Sequence, residues 1–318
     1  MEVDRDRAWM LLRVAFSAAL LWFVLASVGV GSVVSNLTVL PPSVLALAVA
    51  LAVFNVALSA YKWQLLLVVK DIDLPFRTLF VYYYVGQFFN AFLPTMVGGD
   101  GARIYYLHSN HDAGADAASS VVVERLTGLI GVLAIGGVAT VLLSDRLPTA
   151  VVVTILLVCV PGVGLLLALL FTSAGRRLLD RTLFGVERFG LGDRLSSVYD
   201  AIAAYRHAGR ALVPVLAASV LFRLVLVANN YVVAVGLGMD VPFAYFLVFV
   251  PLVELLLLVP VSVQGFGVRE TTYVYLFGAA GASSDLSLTL GIVMGLVLGV
   301  FNNVVGGVVY AASGLRSG

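Results

Sequence analysis

Long apolar runs separated by short polar segments make up most of the chain. Six of these runs predict membrane-spanning helices, because about 20 consecutive apolar residues cover the hydrocarbon core of a bilayer. Two further apolar regions, about 78–107 and 243–281, are interrupted by proline, glycine and charged residues, which break helices. The six predicted spans lie near residues 9–30, 43–69, 119–143, 149–171, 211–236 and 286–313.

The composition is typical of a chain that lies largely within a membrane. Hydrophobic residues make up 61% of the 318 residues and charged residues 12%, and the mean hydropathy is +1.05. No polar stretch is long enough to form a separate soluble domain. We therefore expect an all-α polytopic membrane protein, with residues 1–318 forming a single transmembrane domain.

Several function classes have no support in the sequence. The net charge of +1 provides no basic face for nucleic acid. Cys159 is the single cysteine and lies in an apolar run, and the three histidines show no metal-ligand spacing. Because nucleophile–base pairs, phosphate-binding loops and nicotinamide fingerprints are also missing, we expect no enzyme activity, no cofactor and no metal.

The distribution of arginine predicts the topology. The loop 172–210 has seven arginines against four acids, which places it in the cytoplasm by the positive-inside rule. Counting spans from this loop and from the basic N-terminus puts residues 70–77 and 104–118 on the cytoplasmic side as well. The region between them cannot cross the membrane once, so we predict a re-entrant helical hairpin. The same count predicts that 243–281 enters and leaves on the outer side, and that both termini are cytoplasmic.

An internal repeat connects the two interrupted regions. The segments are PTMVGGDGAR (94–103) and PVSVQGFGVR (260–269). Pro94, Gly99 and Arg103 of the first align without gaps on Pro260, Gly265 and Arg269 of the second. The extra span 149–171 turns the second copy upside down. Inverted repeats with broken helices are common in secondary transporters, whose substrate site lies near the bilayer midplane. The predicted parts are a first helix and outer loop at 9–42, repeat 1 at 43–143, a connecting helix and basic segment at 144–210, and repeat 2 at 211–313.

A helix broken inside a membrane favours a polar ligand at the break. Unpaired backbone groups are tolerated in lipid only where protein or a wet cavity satisfies them. The N-terminus of a half-helix carries free N–H groups and a positive dipole end that suit phosphate or carboxylate, and glycine lets the ligand approach closely. The breaks are therefore candidate anion sites.

Arg103 and Arg269 each follow one of the breaks. A guanidinium suits the bidentate recognition of phosphate, so one hypothesis is that both arginines bind an anionic lipid headgroup. The alternative is that they pair with Asp100, Glu124 or Glu254 and hold the hairpins in place. Both roles remain open on the sequence alone.

Other polar residues in apolar surroundings also have two interpretations. Glu254 is a candidate for proton coupling or for a salt bridge with Arg223. Glu124 and Arg125 begin a predicted span and are either functional or interfacial. Lys62 lies near a span end, where we expect it to extend towards the interface. The alternative is that Lys62, in the stretch YKW, contacts a lipid headgroup.

Two uncharged polar residues have a similar pair of roles. Asn90 and Gln264 lie in the interrupted regions. They are expected either to line a polar path or to bond backbone groups freed by the breaks.

Three stretches carry a family resemblance: GQFFNAFLPTMVGGDGAR, AASSVVVERLTG and PLVELLLLVPVSVQGFGVRETTYVYLF. Over roughly residues 10 to 313 the chain resembles the lysylphosphatidylglycerol synthase transmembrane-region family. That family includes the flippase portion of bacterial multiple peptide resistance factors and many stand-alone bacterial and archaeal proteins. The family signature falls on Asn90, Pro94, Gly98, Gly99, Asp100, Arg103, Glu124, Arg125, Glu254, Gly265, Gly267, Arg269 and Glu270.

The resemblance implies lipid translocation between leaflets, in the best-known members of an aminoacylated phosphatidylglycerol. The chain lacks the soluble aminoacyl-transferase domain of those members, so we do not expect it to synthesise that lipid. We expect a flippase for a phosphate-bearing lipid in the plasma membrane, with a coupling proton or ion and a second copy of the chain as further candidate partners. The alternatives are an integral membrane transferase acting on polyprenyl-phosphate lipids and a non-catalytic partner of a lipid-modifying enzyme.

Overall fold

The computed structural model describes residues 2–92, 98–111, 114–146, 149–171, 201–202, 204–205, 208–259 and 261–313. These residues form α-helices, one short 3-10 helix and one π-helical segment, without a β-strand among them, which confirms the all-α prediction. The helices are α1 (Glu2–Val28), α2 (Val30–Val39), α3 (Pro42–Val68), α4 (Phe76–Phe92), α5 (Gly98–His111), α6 (Gly114–Leu142), α7 (Thr149–Phe171), α8 (Gly209–Gly236), α9 (Phe243–Leu257), α10 (Val268–Ala279), α11 (Ser284–Met294) and α12 (Asn302–Ala312). The 3-10 helix is Ser144–Arg146, and the π-helical segment Gly295–Phe301 joins α11 to α12.

Four helical stretches among the described residues are long and apolar enough to cross a membrane, which makes the chain a polytopic membrane protein. They are α3, α6, α8 and the stretch Ser284–Ala312, which contains α11, the π-helical segment and α12. The predicted span at 149–171 is the helix α7, whose described apolar part, Ile155–Ala168, is shorter than a full span.

The first predicted span ends at a bend that the sequence did not predict. Val14–Val28 of α1 and the helix α2 are together long and apolar enough to span, and they meet at an 83° bend. Gly29 lies between them with a φ of 101°, a backbone conformation that glycine adopts without steric cost. The segment expected as an outer loop therefore contains the helix α2.

The first interrupted region forms a helical hairpin. The helices α4 and α5 have 17 and 14 residues, fewer than the roughly 20 that cross a bilayer. A Cβ built on Gly86 would lie 2.9 Å from the carbonyl oxygen of Gly99, and the rings of Tyr82 and Tyr106 stack at 5.7 Å. The later residue of α4, Gly86, contacts the earlier residue of α5, Gly99, and Tyr82 contacts the later residue Tyr106. The two helices therefore run antiparallel.

The second interrupted region forms a hairpin of the same kind. The helices α9 and α10 have 15 and 12 residues. The rings of Phe246 and Phe277 lie 4.7 Å apart, while Leu257 packs against Gly265, where an added Cβ would be 2.7 Å from its Cδ2 atom. The order long helix, short hairpin, long helix thus occurs twice along the chain. The opposite orientation of the two copies in the membrane stays a prediction.

The contacts within the chain divide it into two compact units. Unit 1 comprises Met1–Asn55, Gln87–Gly98 and Leu224–Gly318, and unit 2 comprises Val56–Gly86 and Gly99–Arg223. The core of unit 1 includes a cluster of Val24, Val33 and Leu288. The core of unit 2 includes Leu66, Val123, Ile130, Tyr205, Leu212 and Val215.

Candidate functional site

The end of α4 packs against α12 within unit 1. The rings of Phe88 and Tyr310 stack with centroids 5.7 Å apart, and Phe89 meets the same tyrosine edge-on at 5.4 Å. Gly307 lies against the ring of Phe88, since an added Cβ would be 3.0 Å from it. The turn that follows, including Pro94, lies outside the described residues.

The turn of the second hairpin also meets α12. Nδ2 of Asn303 donates a hydrogen bond of 3.0 Å to Oε1 of Gln264. Gln264 has a φ of 50°, and Gly265 and Gly267 have φ values of 82° and 84°. Three residues of the turn therefore lie in the left-handed region, where glycine is favoured and glutamine is uncommon.

The end of α4 and the turn of the second hairpin contact one face of α12. Asn303, Gly307 and Tyr310 are spaced by four and then three residues, which places them on the same side of a helix. Because four residues rise about 6 Å, the contacts made by Gln264 and Phe88 are roughly one turn apart. Unit 1 thus brings the end of α4 and the turn of the second hairpin to one helix.

Three glycines allow the second hairpin to approach closely. Gly291, Gly295 and Gly299 recur every fourth residue, and an added Cβ on each would lie 3.1–3.2 Å from the turn or the first residues of α10. The last two belong to the π-helical segment Gly295–Phe301. Such segments are rare and are frequent at functional sites.

Arg269 and Glu270 lie in the first turn of α10. The Gly267 N–H donates a 2.6 Å hydrogen bond to Oε2 of Glu270, whereas Oε1 of this fully buried carboxyl has no hydrogen-bond partner among the described residues. Nη2 of the half-buried Arg269 donates to the carbonyl oxygen of Gln264 at 3.3 Å. No carboxylate of the described residues lies within 4.0 Å of the Arg269 guanidinium. Together with the positive end of α10, Arg269 forms a candidate anion site.

The close packing of the turn predicts the effect of a glycine substitution. A Cβ at Gly267 would lie 3.0 Å from Cβ of Leu20 and 3.1 Å from the carbonyl oxygen of Ser17. We expect Gly267→Ala to lower the free energy of unfolding by about 2–3 kcal/mol, because strain at positive φ adds to overpacking. The measurement is detergent-induced unfolding of the reconstituted protein. Gly281→Ala is the matched control, since Gly281 has a φ of 91° but no atom within 4 Å of an added Cβ, and we expect a loss of about 1 kcal/mol. Equal losses would contradict the packing argument.

Ser17 supports the same turn and was missed by the sequence analysis. The backbone N–H of Val263 donates a 2.9 Å hydrogen bond to Oγ of Ser17 in α1. This bond satisfies a backbone group that the break in the helix leaves without a helical partner. Ser17 is one of many small residues in an apolar helix, and nothing in its local sequence marks it.

Glu124 is the centre of a buried charge network in unit 2. Nη1 of Arg103 donates to Oε2 of Glu124 at 2.9 Å, and the Tyr83 hydroxyl donates to Oε1 at 2.5 Å. Nζ of Lys62 lies 3.8 Å from the same Oε1 atom. The helix α6 begins at Gly114, so Glu124 lies about three turns inside it rather than at the start of a span.

Arg103 is fully engaged by the protein. Its Nη2 atom donates to Oδ1 of Asp100 at 2.6 Å, and its Cζ atom lies 5.0 Å and 4.2 Å from the ring centroids of Trp63 and Tyr83. Only 3% of the residue is exposed. This geometry favours the holding role over headgroup binding for Arg103.

Arg125 lies at the accessible end of the network. Its Nε and Nη2 atoms are both 2.9 Å from Oδ2 of Asp100, and 52% of its side chain is exposed. Lys62 differs from its expectation, because it does not extend towards an interface. It is 6% exposed and faces Glu124, so the prediction that it snorkels is wrong.

The other predicted residues are distributed between the two units. Asn90 and Glu254 are half-buried residues of unit 1, in α4 and α9. Arg223 belongs to unit 2, where its Cζ atom lies 5.1 Å from the ring of Phe222. Gly98 and Gly99 begin α5. The salt bridge between Arg223 and Glu254 stays a prediction.

These features define a class of protein: an all-α membrane protein with two broken helices, a buried charge network and a half-buried arginine at a helix N-terminus. The family model of the lysylphosphatidylglycerol synthase TM region matches residues 10–306, and the chain belongs to that family. The family relates the protein to the modification or translocation of membrane lipids. Among curated proteins, none matches the chain.

Proposed function

We propose that the protein is a flippase that moves a phosphate-bearing lipid between the leaflets of the plasma membrane, with both termini in the cytoplasm. The headgroup phosphate binds to Arg269 and to the first N–H groups of α10, while the acyl chains stay in the membrane. The observation that carries this proposal is that Arg269 has one backbone carbonyl as its hydrogen-bond partner and no carboxylate within 4.0 Å among the described residues. A half-buried guanidinium in this position gains from an anionic ligand.

The packing of unit 1 around Arg269 supports translocation. The end of α4 packs against Gly307 of α12, and the second hairpin packs against Gly291, Gly295 and Gly299 of α11 and the π-helical segment Gly295–Phe301. Because glycine has no side chain, a helix packed on glycines can slide along its neighbour without displacing side chains at those positions. Alternating access in broken-helix transporters uses movements of this kind.

The experiment measures translocation with purified protein in liposomes that contain a fluorescent phospholipid. A membrane-impermeant quencher reports the fraction of labelled lipid in the outer leaflet over time. We expect exchange between leaflets above that of protein-free liposomes, either without a gradient or with a pH gradient. Background rates under every lipid and gradient condition would overturn the flippase proposal. Mass spectrometry of the same lipids tests the transferase alternative, because a transferase changes the mass of a headgroup and a flippase does not.

A further inference from the structure

Lys62 has a buried ammonium group that lacks a hydrogen-bond acceptor among the described residues. The nearest carboxylate oxygen, Oε1 of Glu124, lies 3.8 Å away, beyond hydrogen-bond distance, and already accepts a bond from Tyr83. An ammonium carries three donors, and burying them without acceptors costs free energy. The Lys62 side chain is 7% exposed. The ammonium can therefore bond to an oxygen from outside the chain.

The space beside the Lys62 ammonium is bounded by a glycine and a second cation. A Cβ on Gly128 would lie 3.8 Å from Nζ of Lys62 and 3.8 Å from Nη2 of Arg223. The two cationic nitrogens therefore lie no more than twice that distance apart, and both lie close to a position without a side chain. The ring of Phe222 lies close to both, 5.8 Å from Nζ of Lys62 and 5.1 Å from Cζ of Arg223.

The charges around Lys62 favour an anion. The connected network contains the cations Lys62, Arg103 and Arg125 and the carboxylates Asp100 and Glu124. Both carboxylates are already shared between two basic residues. The network therefore has one more positive than negative group, even with Arg223 left out of the count.

We propose that Lys62 and Gly128 of unit 2 form a binding site for a phosphate-type oxyanion, built from different residues than the Arg269 site of unit 1. A tetrahedral oxyanion has several acceptor oxygens, so one of them can bond to the ammonium while another faces Arg223. Because Gly128 has no side chain, the oxyanion can contact its backbone. The proposal concerns binding and does not depend on translocation.

The two lysines of the chain, Lys62 and Lys70, make a direct test practical. Protein labelled with nitrogen-15 at the lysine side chains gives two ammonium signals in solid-state NMR, which Lys62→Arg and Lys70→Arg assign. Recoupling to phosphorus-31 reports phosphorus within about 4 Å of the nitrogen, the separation that an N···O contact of roughly 2.8 Å produces. Lys70 is the internal control, because its Nζ atom lies 2.8 Å from Oδ1 of Asp116 and has its acceptor within the protein.

The experiment has two arms that separate the sources of the oxyanion. One arm uses phosphatidylglycerol vesicles, and the other uses phosphate-free glycolipid vesicles with added inorganic phosphate. We expect dephasing of the Lys62 signal and little dephasing of the Lys70 signal. Dephasing of Lys62 in the first arm alone assigns a lipid headgroup, and dephasing in the second arm assigns free phosphate. Dephasing in neither arm, or equal dephasing of both lysines, would overturn the proposal and leave a water molecule as the acceptor.

A pair of glycine variants tests the geometry while keeping Lys62. Gly128→Ala places a methyl group 3.8 Å from a nitrogen of each cation without a clash, and we expect it to abolish the Lys62 dephasing by occupying the space of the oxyanion. Gly101→Ala is the control in α5, since no atom lies within 4 Å of an added Cβ. Unchanged dephasing in Gly128→Ala would contradict the placement of the oxyanion over this glycine.

Discussion

Replacing Glu124 with alanine is expected to lower the free energy of unfolding by about 3–5 kcal/mol, as does breaking other buried ion pairs. Arg103, Lys62 and Tyr83 all converge on this carboxylate. Its removal leaves Arg103 with one acid and Lys62 with none within the network. The measurement is unfolding of the purified protein in mixed micelles with increasing denaturing detergent.

Two further variants make this prediction specific. Glu124→Gln keeps an oxygen that accepts from Arg103 or Tyr83, so we expect a smaller loss. Asp116→Ala removes a carboxylate from the same helix, but that side chain is 41% exposed and pairs with Lys70, so we expect a loss below about 1 kcal/mol. If Glu124→Ala and Asp116→Ala destabilised the protein equally, the buried network would not stabilise the fold as described.

Replacing Arg269 with glutamine is expected to slow lipid translocation about tenfold or more while leaving stability nearly unchanged. A hydrogen bond to a charged group contributes about 1.5–3 kcal/mol, which corresponds to this range of rates. Within the protein, Arg269 donates one hydrogen bond of 3.3 Å to a backbone carbonyl, so its loss removes little from the folded state. The measurement is the leaflet-exchange rate per folded protein.

Arg103→Gln is the matched control, and we expect the opposite result. Arg103 binds two buried carboxylates, so its loss lowers stability, while exchange per folded molecule stays close to that of the wild type. Equal exchange rates for Arg269→Gln and the wild type would remove Arg269 from the headgroup site. A tenfold loss in Arg103→Gln at unchanged stability would instead assign headgroup binding to Arg103.

The two arginines show how far the sequence predicts the site. Their positions in the repeat are equivalent, and the sequence left each of them a binding role or a structural role. The structure separates them through their neighbours: Asp100 stands three residues before Arg103, whereas Phe266 stands three residues before Arg269. That difference is present in the sequence, but its meaning depends on Glu124, which the fold brings to Arg103 from another helix.

The hairpins were predictable because their cause is local. Segments that combine proline, several glycines and charged residues disfavour a continuous helix, and the described hairpins α4–α5 and α9–α10 lie where such segments interrupt the apolar runs. A single proline does not have this effect, since α7, α8 and α9 each contain one. The contact of Ser17 with Val263 and the burial of Lys62 depend instead on which face each helix turns towards its neighbours. Long-range packing fixes those faces, and nearly uniform apolar helices carry little periodic signal for it.

The π-helical segment Gly295–Phe301 sets the rotation of α12 about its axis relative to α11. A π-helical turn closes hydrogen bonds over one more residue than an α-helical turn, so moving it along the chain rotates the intervening residues by about 100°. Such a rotation would take Asn303 away from Gln264 and release the turn that precedes Arg269.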